Sequence, residues 1–188
     1  MPGTQQLSDV AKRYLCEYYD ILDDMIEGMT RAELTDSVSH NFIVQMIPHH
    51  EGAIRMSENI LQYTTCIPLQ RIAQRIIAEQ TQSIAQMRRA LPMCSLCRSS
   101  SGDLNLYLQR FRQVTDRMFR RMQEAPATNG LNFSFLREMI PHHEGAIGMS
   151  QNLFRFEVCP ELCPIVEAII TSQSRGVAEM ERLLRTLK

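Results

Sequence analysis

One nine-residue segment, MIPHHEGAI, occurs twice in this 188-residue chain, at residues 46–54 and at residues 139–147. The similarity extends outward to residues 42–59 and 135–152, where 13 of 18 positions are identical. A constant offset of 93 residues indicates duplication of a whole unit, and repeated units bury their apolar faces against each other. The sequence therefore predicts two similar halves, packed together as one bundle, with bounds 1–93 and 94–188.

Each half contains three stretches with apolar residues at the i, i+3, i+4 spacing of an amphipathic helix. We predict helices over residues 7–34, from about 39 to 63, and from 68 to about 91, then over 104–124, from 131 to about 157, and from 160 onward. Residues 92–103 have the composition of a linker. The predicted fold class is all-α, a helical bundle of two three-helix repeats related by a pseudo-twofold axis.

Two histidines and two methionines share one face of the repeated helix. With 3.6 residues per turn, Met46, His49, His50 and Met56 lie within an arc of roughly 120°. Thioether is a soft ligand and imidazole a borderline one, so together they favour Cu(I) or Ag(I) over ions that prefer oxygen. The pattern predicts a copper-binding face on each motif helix.

Methionine is the compositional outlier, and ten of the 12 methionines pair at the same offset. We therefore predict metal ligands at equivalent positions of both halves. They are His49, His50, Met46, Met56, Met25, Met29 and Met87 in the first half, and His142, His143, Met139, Met149, Met118, Met122 and Met180 in the second. A methionine stripe is also typical of ordinary core packing, and that interpretation stays open.

Three further residues of the first half, each with a counterpart in the second, have predicted roles. Glu51 is either an exposed helix residue or an acceptor for a histidine N–H. Gly52 is expected to permit close approach of a neighbouring helix, despite its low helix propensity. Gln80 is the one polar residue in an apolar stripe, and it is expected to hydrogen-bond to a motif histidine.

Six cysteines are present, although a chain of this length does not need a disulfide framework. The pairs Cys94-x-x-Cys97 and Cys159-x3-Cys163 could chelate a soft metal ion, form disulfides or simply pack as small apolar residues. Cys66 corresponds to Cys159 in the repeat. These alternatives stay open.

The net charge of −1 gives no strong field that would attract nucleic acid. No apolar run approaches the roughly 18 residues that predict a membrane span. The N-terminal residues lack the charged and then apolar pattern of a leader, which predicts a cytoplasmic protein, with the mature form of a secreted protein as the alternative. The expected partners are metal ions, and a homo-oligomer is an open alternative.

The pattern F-x3-M-x2-HH-x2-A-x2-M, followed in each half by Q-x6-M, resembles the bacterial family named domain of unknown function 305. The resemblance covers nearly the whole chain. It implies a ferritin-like helical bundle and, from some members, binding of copper or silver linked to copper tolerance. The six cysteines are not part of the family pattern, and the apparent lack of a leader also departs from it.

The predicted function is binding and handling of Cu(I), with silver as an opportunistic ligand and with zinc and iron as weaker candidates. One alternative is a redox enzyme that cycles copper or iron, although no separate substrate-binding motif is evident. A di-iron carboxylate site would need glutamate where Met46 and Met139 stand. The other alternative is a structural or sensory module in which the motif only packs.

Overall fold

The computed structural model of the protein describes residues 6–187. Within that range it contains six α-helices and no strand, which confirms the predicted all-α class. The helices are α1 (Asp9–Thr30), α2 (Val38–Leu61), α3 (Ile67–Cys94), α4 (Ser101–Gln123), α5 (Leu131–Leu153) and α6 (Cys163–Thr186). Residues 1–5 and Lys188 lie outside the described residues. The prediction that the chain lacks a leader depends partly on residues 1–5.

The linker between the halves is shorter than predicted. Pro92 lies inside α3, near its C-terminal end. The helix continues past it to Cys94, and the loop between the halves covers only residues 95–100. An interior proline removes one helical hydrogen bond, and here that loss falls near the last turn of the helix. The hydroxyl of Ser100 accepts a hydrogen bond from the N–H of Asp103 and so caps α4. The helix therefore begins at Ser101, three residues before its predicted start.

The connection between α5 and α6 is longer than predicted, because α5 ends four residues early and α6 begins after Pro160. Pro164 instead occupies the first turn of α6, where its missing N–H costs no helical bond. The backbone N–H of Cys159 donates to Ser39 Oγ at 2.9 Å, which fixes the intervening loop against the start of α2.

The connection between α1 and α2 also begins earlier than predicted, since α1 ends at Thr30. The side-chain amide of Asn41 bonds to both backbone groups of Thr35, at 2.7 Å and 2.9 Å. These bonds hold the chain in a turn just before Ser37, whose hydroxyl caps α2.

The motif helix lies between the other two helices of its half. Thus α2 contacts α1 and α3, and α5 contacts α4 and α6. The halves meet through α2 against α5 and through α3 against α6, which are pairs of equivalent helices. Arg75 pairs with Glu179 and Glu79 pairs with Arg175, so α3 and α6 run antiparallel. A pseudo-twofold axis across these helices requires that direction. No helix in the described range has the length and apolarity needed to cross a membrane.

Glycine lets α1 and α4 approach the motif helices. A Cβ atom built on Gly52 would lie 2.8 Å from Met25 Sδ, and one on Gly145 would lie 2.1 Å from Met118 Sδ. Both distances are too short for a real contact, so these two helix positions require glycine unless the methionines move. The expected close approach at this position is confirmed in both halves.

All ten methionines that pair in the repeat are buried: Met25, Met29, Met46, Met56, Met87, Met118, Met122, Met139, Met149 and Met180. Met93, which has no counterpart, is about half exposed. Burial alone is compatible with core packing and with ligation, so it supports the predicted placement of these side chains without assigning their role.

One buried carboxyl group breaks the symmetry between the halves. Glu138 is only 2% exposed, and its counterpart in the first half is Gln45. The Tyr14 hydroxyl donates to Glu138 Oε2 at 2.6 Å. Burial raises the pKa of Glu138 to about 8, although the Tyr14 hydrogen bond acts in the opposite direction. The carboxyl group is therefore mostly protonated at neutral pH.

Replacing Glu138 by Gln should change how stability depends on pH. Above pH 4.5 the unfolded chain releases this proton while the folded chain keeps it up to about pH 8. The free energy of unfolding therefore falls as pH rises through that window, by at most about 1.4 kcal/mol per pH unit. Glu138→Gln should lack this contribution. In urea unfolding, the free energy of unfolding of the wild type should therefore fall relative to that of the variant between about pH 5 and about pH 8.

Tyr14→Phe provides the matching control from the other side of the hydrogen bond. It removes the interaction that lowers the pKa of Glu138, so the loss of stability should extend to higher pH. Identical pH profiles for the wild type and Glu138→Gln would contradict the assignment of a protonated carboxyl group.

Candidate functional site

The four motif histidines lie together where α2 crosses α5, and none is more than 2% exposed. The imidazoles of His49 and His142 stack, with ring centroids 3.7 Å apart and planes inclined by 29°. These residues are equivalent in the repeat, so the pseudo-twofold axis passes between their rings. The two predicted pairs of histidines therefore form one central cluster that both halves share.

The second histidine of each pair turns toward its own half. Ring centroids within a pair are 5.8 Å and 5.9 Å apart, as adjacent positions on a helix require. His50 Nε2 lies 3.2 Å from Ser83 Oγ on α3. His143 lies against Gly176 on α6, where a Cβ atom would be 2.8 Å from its Cδ2. Because Gly176 is the counterpart of Ser83, His143 lacks the hydroxyl partner that His50 has.

A backbone carbonyl fixes the tautomer of His142. Its Nε2 lies 3.1 Å from the carbonyl oxygen of His49, and a carbonyl oxygen can only accept. His142 therefore carries its hydrogen on Nε2, and the lone pair of Nδ1 is left without a protein partner. Metal-binding histidines commonly donate their other N–H to a carbonyl in this way.

Unpartnered nitrogen atoms are concentrated in this cluster. Five buried ring nitrogens form no hydrogen bond of ordinary geometry, although the rings of His49 and His143 lie near the backbone of His142 and Met139: the five are Nδ1 and Nε2 of His49, and Nδ1 of His50, His142 and His143. Buried polar groups are usually paired, and each unpaired one costs about 1–3 kcal/mol. A neutral imidazole carries a hydrogen on one nitrogen and a lone pair on the other, so each of the four rings offers at most one ligand atom.

The predicted hydrogen bond from Gln80 to a motif histidine is wrong. Neither its amide oxygen nor its amide nitrogen has a partner, and the oxygen of its counterpart Gln173 has none either. Ser83, three residues further along the same face of α3, contacts His50 instead. The spacing of i and i+3 could have pointed to Ser83, but a serine on an amphipathic helix gives no distinctive signal.

Burial lowers the pKa of all four histidines, because a charged imidazole is poorly solvated in the core. It lowers the pKa of His50 to about 3 and that of His142 to about 4. Neighbouring imidazoles act in the same direction on His49, His50 and His143. All four are therefore neutral at physiological pH, which is the form that binds metal ions.

The acidic residue of the motif does not join the cluster. Glu51 pairs with Arg88 and Glu144 pairs with Arg121, and all four side chains are partly exposed. Of the two roles open for these glutamates, the structure shows the exposed one. No group of three or more His, Cys, Asp or Glu side chains within residues 6–187 is arranged to hold a metal ion. A ligand set here must therefore use few histidines or include methionine.

Four of the predicted methionines lie at the level of the helical turns next to the histidines, two on the motif helices and two on α1 and α4. Met25 covers Gly52, which follows His49 by three residues, or about one turn of α2. Met118 occupies the equivalent position over Gly145, one turn after His142. Met46 and Met139 lie one turn before the histidines, and their side chains are fully buried. The other predicted methionines are buried as well, without a contact that ties them to the cluster.

Comparison with known proteins gives a family and a fold. A family model described as "Domain of unknown function (DUF305)" matches the chain twice, over residues 21–91 and 110–184. A solved structure described as the crystal structure of a DUF305 fragment from Deinococcus radiodurans is similar, with a TM-score of 0.58 and 20% identity. The similarity covers 81% of this chain and 99% of that one, and at this identity it shows the fold alone. Comparison with curated proteins found no match.

The charge state and tautomers of the histidines can be tested by NMR on protein treated with a chelator. Long-range ¹H–¹⁵N spectra of imidazole-labelled protein should show four neutral rings at about pH 5, well below the ordinary histidine pKa of about 6.5. His142 should give the pattern of an Nε2–H tautomer, assigned by its loss in His142→Gln. A charged ring at this pH in any of the four, or an Nδ1–H pattern for His142, would contradict the geometry described above.

Proposed function

This chain belongs to the DUF305 family, and on that premise we propose that it binds Cu(I) at the centre of the bundle through histidine and methionine. The role would be copper handling, such as buffering, storage or tolerance, with Ag(I) as an opportunistic ligand. The observation that carries the proposal is the shared histidine cluster, in which His142 donates from Nε2 to a backbone carbonyl and leaves Nδ1 unpartnered.

The chemistry of the donor set supports a soft monovalent ion. The imidazoles are neutral, and the methionine thioethers near them are neutral and soft. The one buried carboxyl group among the described residues, Glu138, is hydrogen-bonded to Tyr14. A singly charged ion is less costly to bury among neutral ligands than a doubly charged one, because the cost of burying charge rises steeply with its magnitude. Zn(II) and Fe(II) usually have anionic ligands to offset that cost.

The expected order of ligands follows from position. His49 and His142 come first, since they touch each other and have three unpartnered ring nitrogens between them. His50 and His143 follow, each with an unpartnered Nδ1. Met46 and Met139 are next, because they lie one turn away on the same helices, and then Met25 and Met118, which lie over the adjacent glycines.

Burial of the cluster favours holding an ion over turning over a substrate. A redox enzyme needs a coordination position that substrate can reach, whereas these imidazoles are at most 2% exposed. Catalysis on copper or iron therefore remains the second candidate. Oxidase assays on protein loaded with each metal would detect it.

Anaerobic titration with Cu(I) against a chromogenic chelator tests the proposal. The double variant His49→Ala/His142→Ala removes one histidine from each half and should weaken central Cu(I) binding by more than about a hundredfold. His40→Ala is the matched control, because His40 lies outside the motif and bonds to Ser95 Oγ at 2.8 Å. It should bind Cu(I) like the wild type.

Thiols also bind Cu(I), so the informative quantity is the difference in stoichiometry between each variant and the wild type. Far-UV circular dichroism of each variant checks that the helices are retained. If a variant without all four motif histidines is folded and still binds Cu(I) at wild-type stoichiometry and affinity, the histidine assignment is wrong.

A further inference from the structure

Four of the six cysteines meet at one end of the bundle, two of them at the end of α3, the last helix of the first repeat, and two at the start of α6 in the second repeat. Cys94 is the last residue of α3 and Cys97 lies in the loop after it, whereas Cys159 precedes α6 and Cys163 is its first residue. The thiol of Cys159 lies within hydrogen-bonding reach of the thiols of Cys94 and Cys97. Cys94 and Cys159 are buried, and Cys97 and Cys163 are half-buried.

The start of α2 holds the backbones of the two segments in place. Ser37 Oγ donates to the carbonyl oxygen of Cys94 at 2.8 Å, and Ser39 Oγ accepts from the N–H of Cys159 at 2.9 Å. Both serines are 1% exposed. Two cysteine segments from different halves are therefore fixed against one common element, which sets the distance between them independently of the thiols.

The side chains, in contrast, are held by weak contacts. The thiol of Cys163 donates to the carbonyl oxygen of Cys159 at 3.7 Å, and that of Cys97 donates to the carbonyl oxygen of Met93 at 3.7 Å. Only the contact from Cys159 to Glu161 Oε2, at 3.0 Å, is short. The thiols are not arranged around one point as they stand. Rotation about the Cα–Cβ bonds of Cys97 and Cys163 would break only these weak contacts and would move their sulfur atoms to new positions.

The spacing suits thiolate ligands. Two cysteines separated by two to four residues are typical of each half of a structural zinc site. Four thiolates of this kind match soft, closed-shell metal ions.

We propose that Cys94, Cys97, Cys159 and Cys163 form a tetrathiolate site for a thiophilic d¹⁰ ion, Zn(II) or Cu(I), which links the two halves of the chain. The site is separate from the histidine cluster and does not rest on the function proposed above. Binding breaks the S–H bonds, forms sulfur–metal bonds and releases the thiol protons to solvent, with no change in oxidation state.

Proton competition should make the affinity depend on pH. A free thiol has a pKa of about 8.5, so the four ligands are mostly protonated at neutral pH before a metal ion binds. The metal must displace those protons, and its affinity therefore rises with pH.

The repeat supplies a matched control. Cys66 is the counterpart of Cys159, but the counterpart of Cys94 is Leu187 and that of Cys163 is Gln70. The pseudo-symmetric end of the bundle thus has one thiol where this end has four. Cys16 on α1 is exposed. The double variant Cys16→Ser/Cys66→Ser keeps the proposed site and removes the other thiols.

The test uses the fully reduced wild-type chain, alkylated with iodoacetamide with and without added Zn(II). Mass spectrometry gives the alkylation rate of each cysteine, over a time long enough for the buried Cys94 and Cys159 to react in the metal-free protein. Zn(II) should protect the four clustered cysteines and leave Cys16 and Cys66 reactive. Co(II) should give the charge-transfer and d–d bands of a tetrahedral tetrathiolate. Those bands should be lost in Cys94→Ser/Cys159→Ser and retained in Cys16→Ser/Cys66→Ser.

A parallel alkylation with Cu(I) separates the two ions, since the one that protects the same four residues at the lower free concentration is the favoured occupant. The proposal is overturned if neither ion protects the four cysteines, if Cys16 and Cys66 are protected equally, or if the Co(II) bands survive in Cys94→Ser/Cys159→Ser. The footprint of the wild type decides the matter even if that variant does not fold.

Discussion

The contact on which the structure depends is the stack of two neutral imidazoles, His49 on His142, at the point where α2 crosses α5. Each half places one buried imidazole against its counterpart in the other half, in an interface that also contains the hydrogen bond from Tyr14 to Glu138 and the salt bridges between α3 and α6. The interface tolerates these rings only in their uncharged form, because a proton on one would put charge beside three other imidazoles in the core. The unpartnered nitrogens lower the free energy of unfolding, and a bound ion would offset that loss.

The two halves share a scaffold but differ where side chains carry chemistry. Ser83 partners His50, whereas Gly176 leaves room for the His143 ring. Glu138 holds a proton at a position where the first half has an amide. The thiol cluster occupies one end of the bundle alone. Despite these differences, both halves keep three helices in the same order, with the motif helix in contact with the other two.

Periodicity and the repeat were enough to predict the helices, the burial of the paired methionines and the close approach at Gly52, because those features depend on local spacing. The stack of His49 on His142 was not predictable in the same way, since the repeat gives equivalence but not the point where two helices cross. Pro92 misled the helix boundary because an interior proline was expected to end the helix, whereas α3 continues for two residues beyond it. The cysteine cluster forms because the segment at the end of α3 lies beside the segment at the start of α6. The spacing of cysteines within either segment does not predict that contact.

Contact between equivalent residues across the axis has an evolutionary consequence. The contacts of α2 with α5 and of α3 with α6 are isologous, so a single three-helix unit carries a self-complementary surface. An ancestor one repeat long could therefore have assembled as a symmetric homodimer, with one histidine facing its own copy. In such an ancestor any substitution appears twice, and a lone Glu138 or a one-ended set of thiols cannot exist. Fusion of two such units into one chain would allow them to diverge.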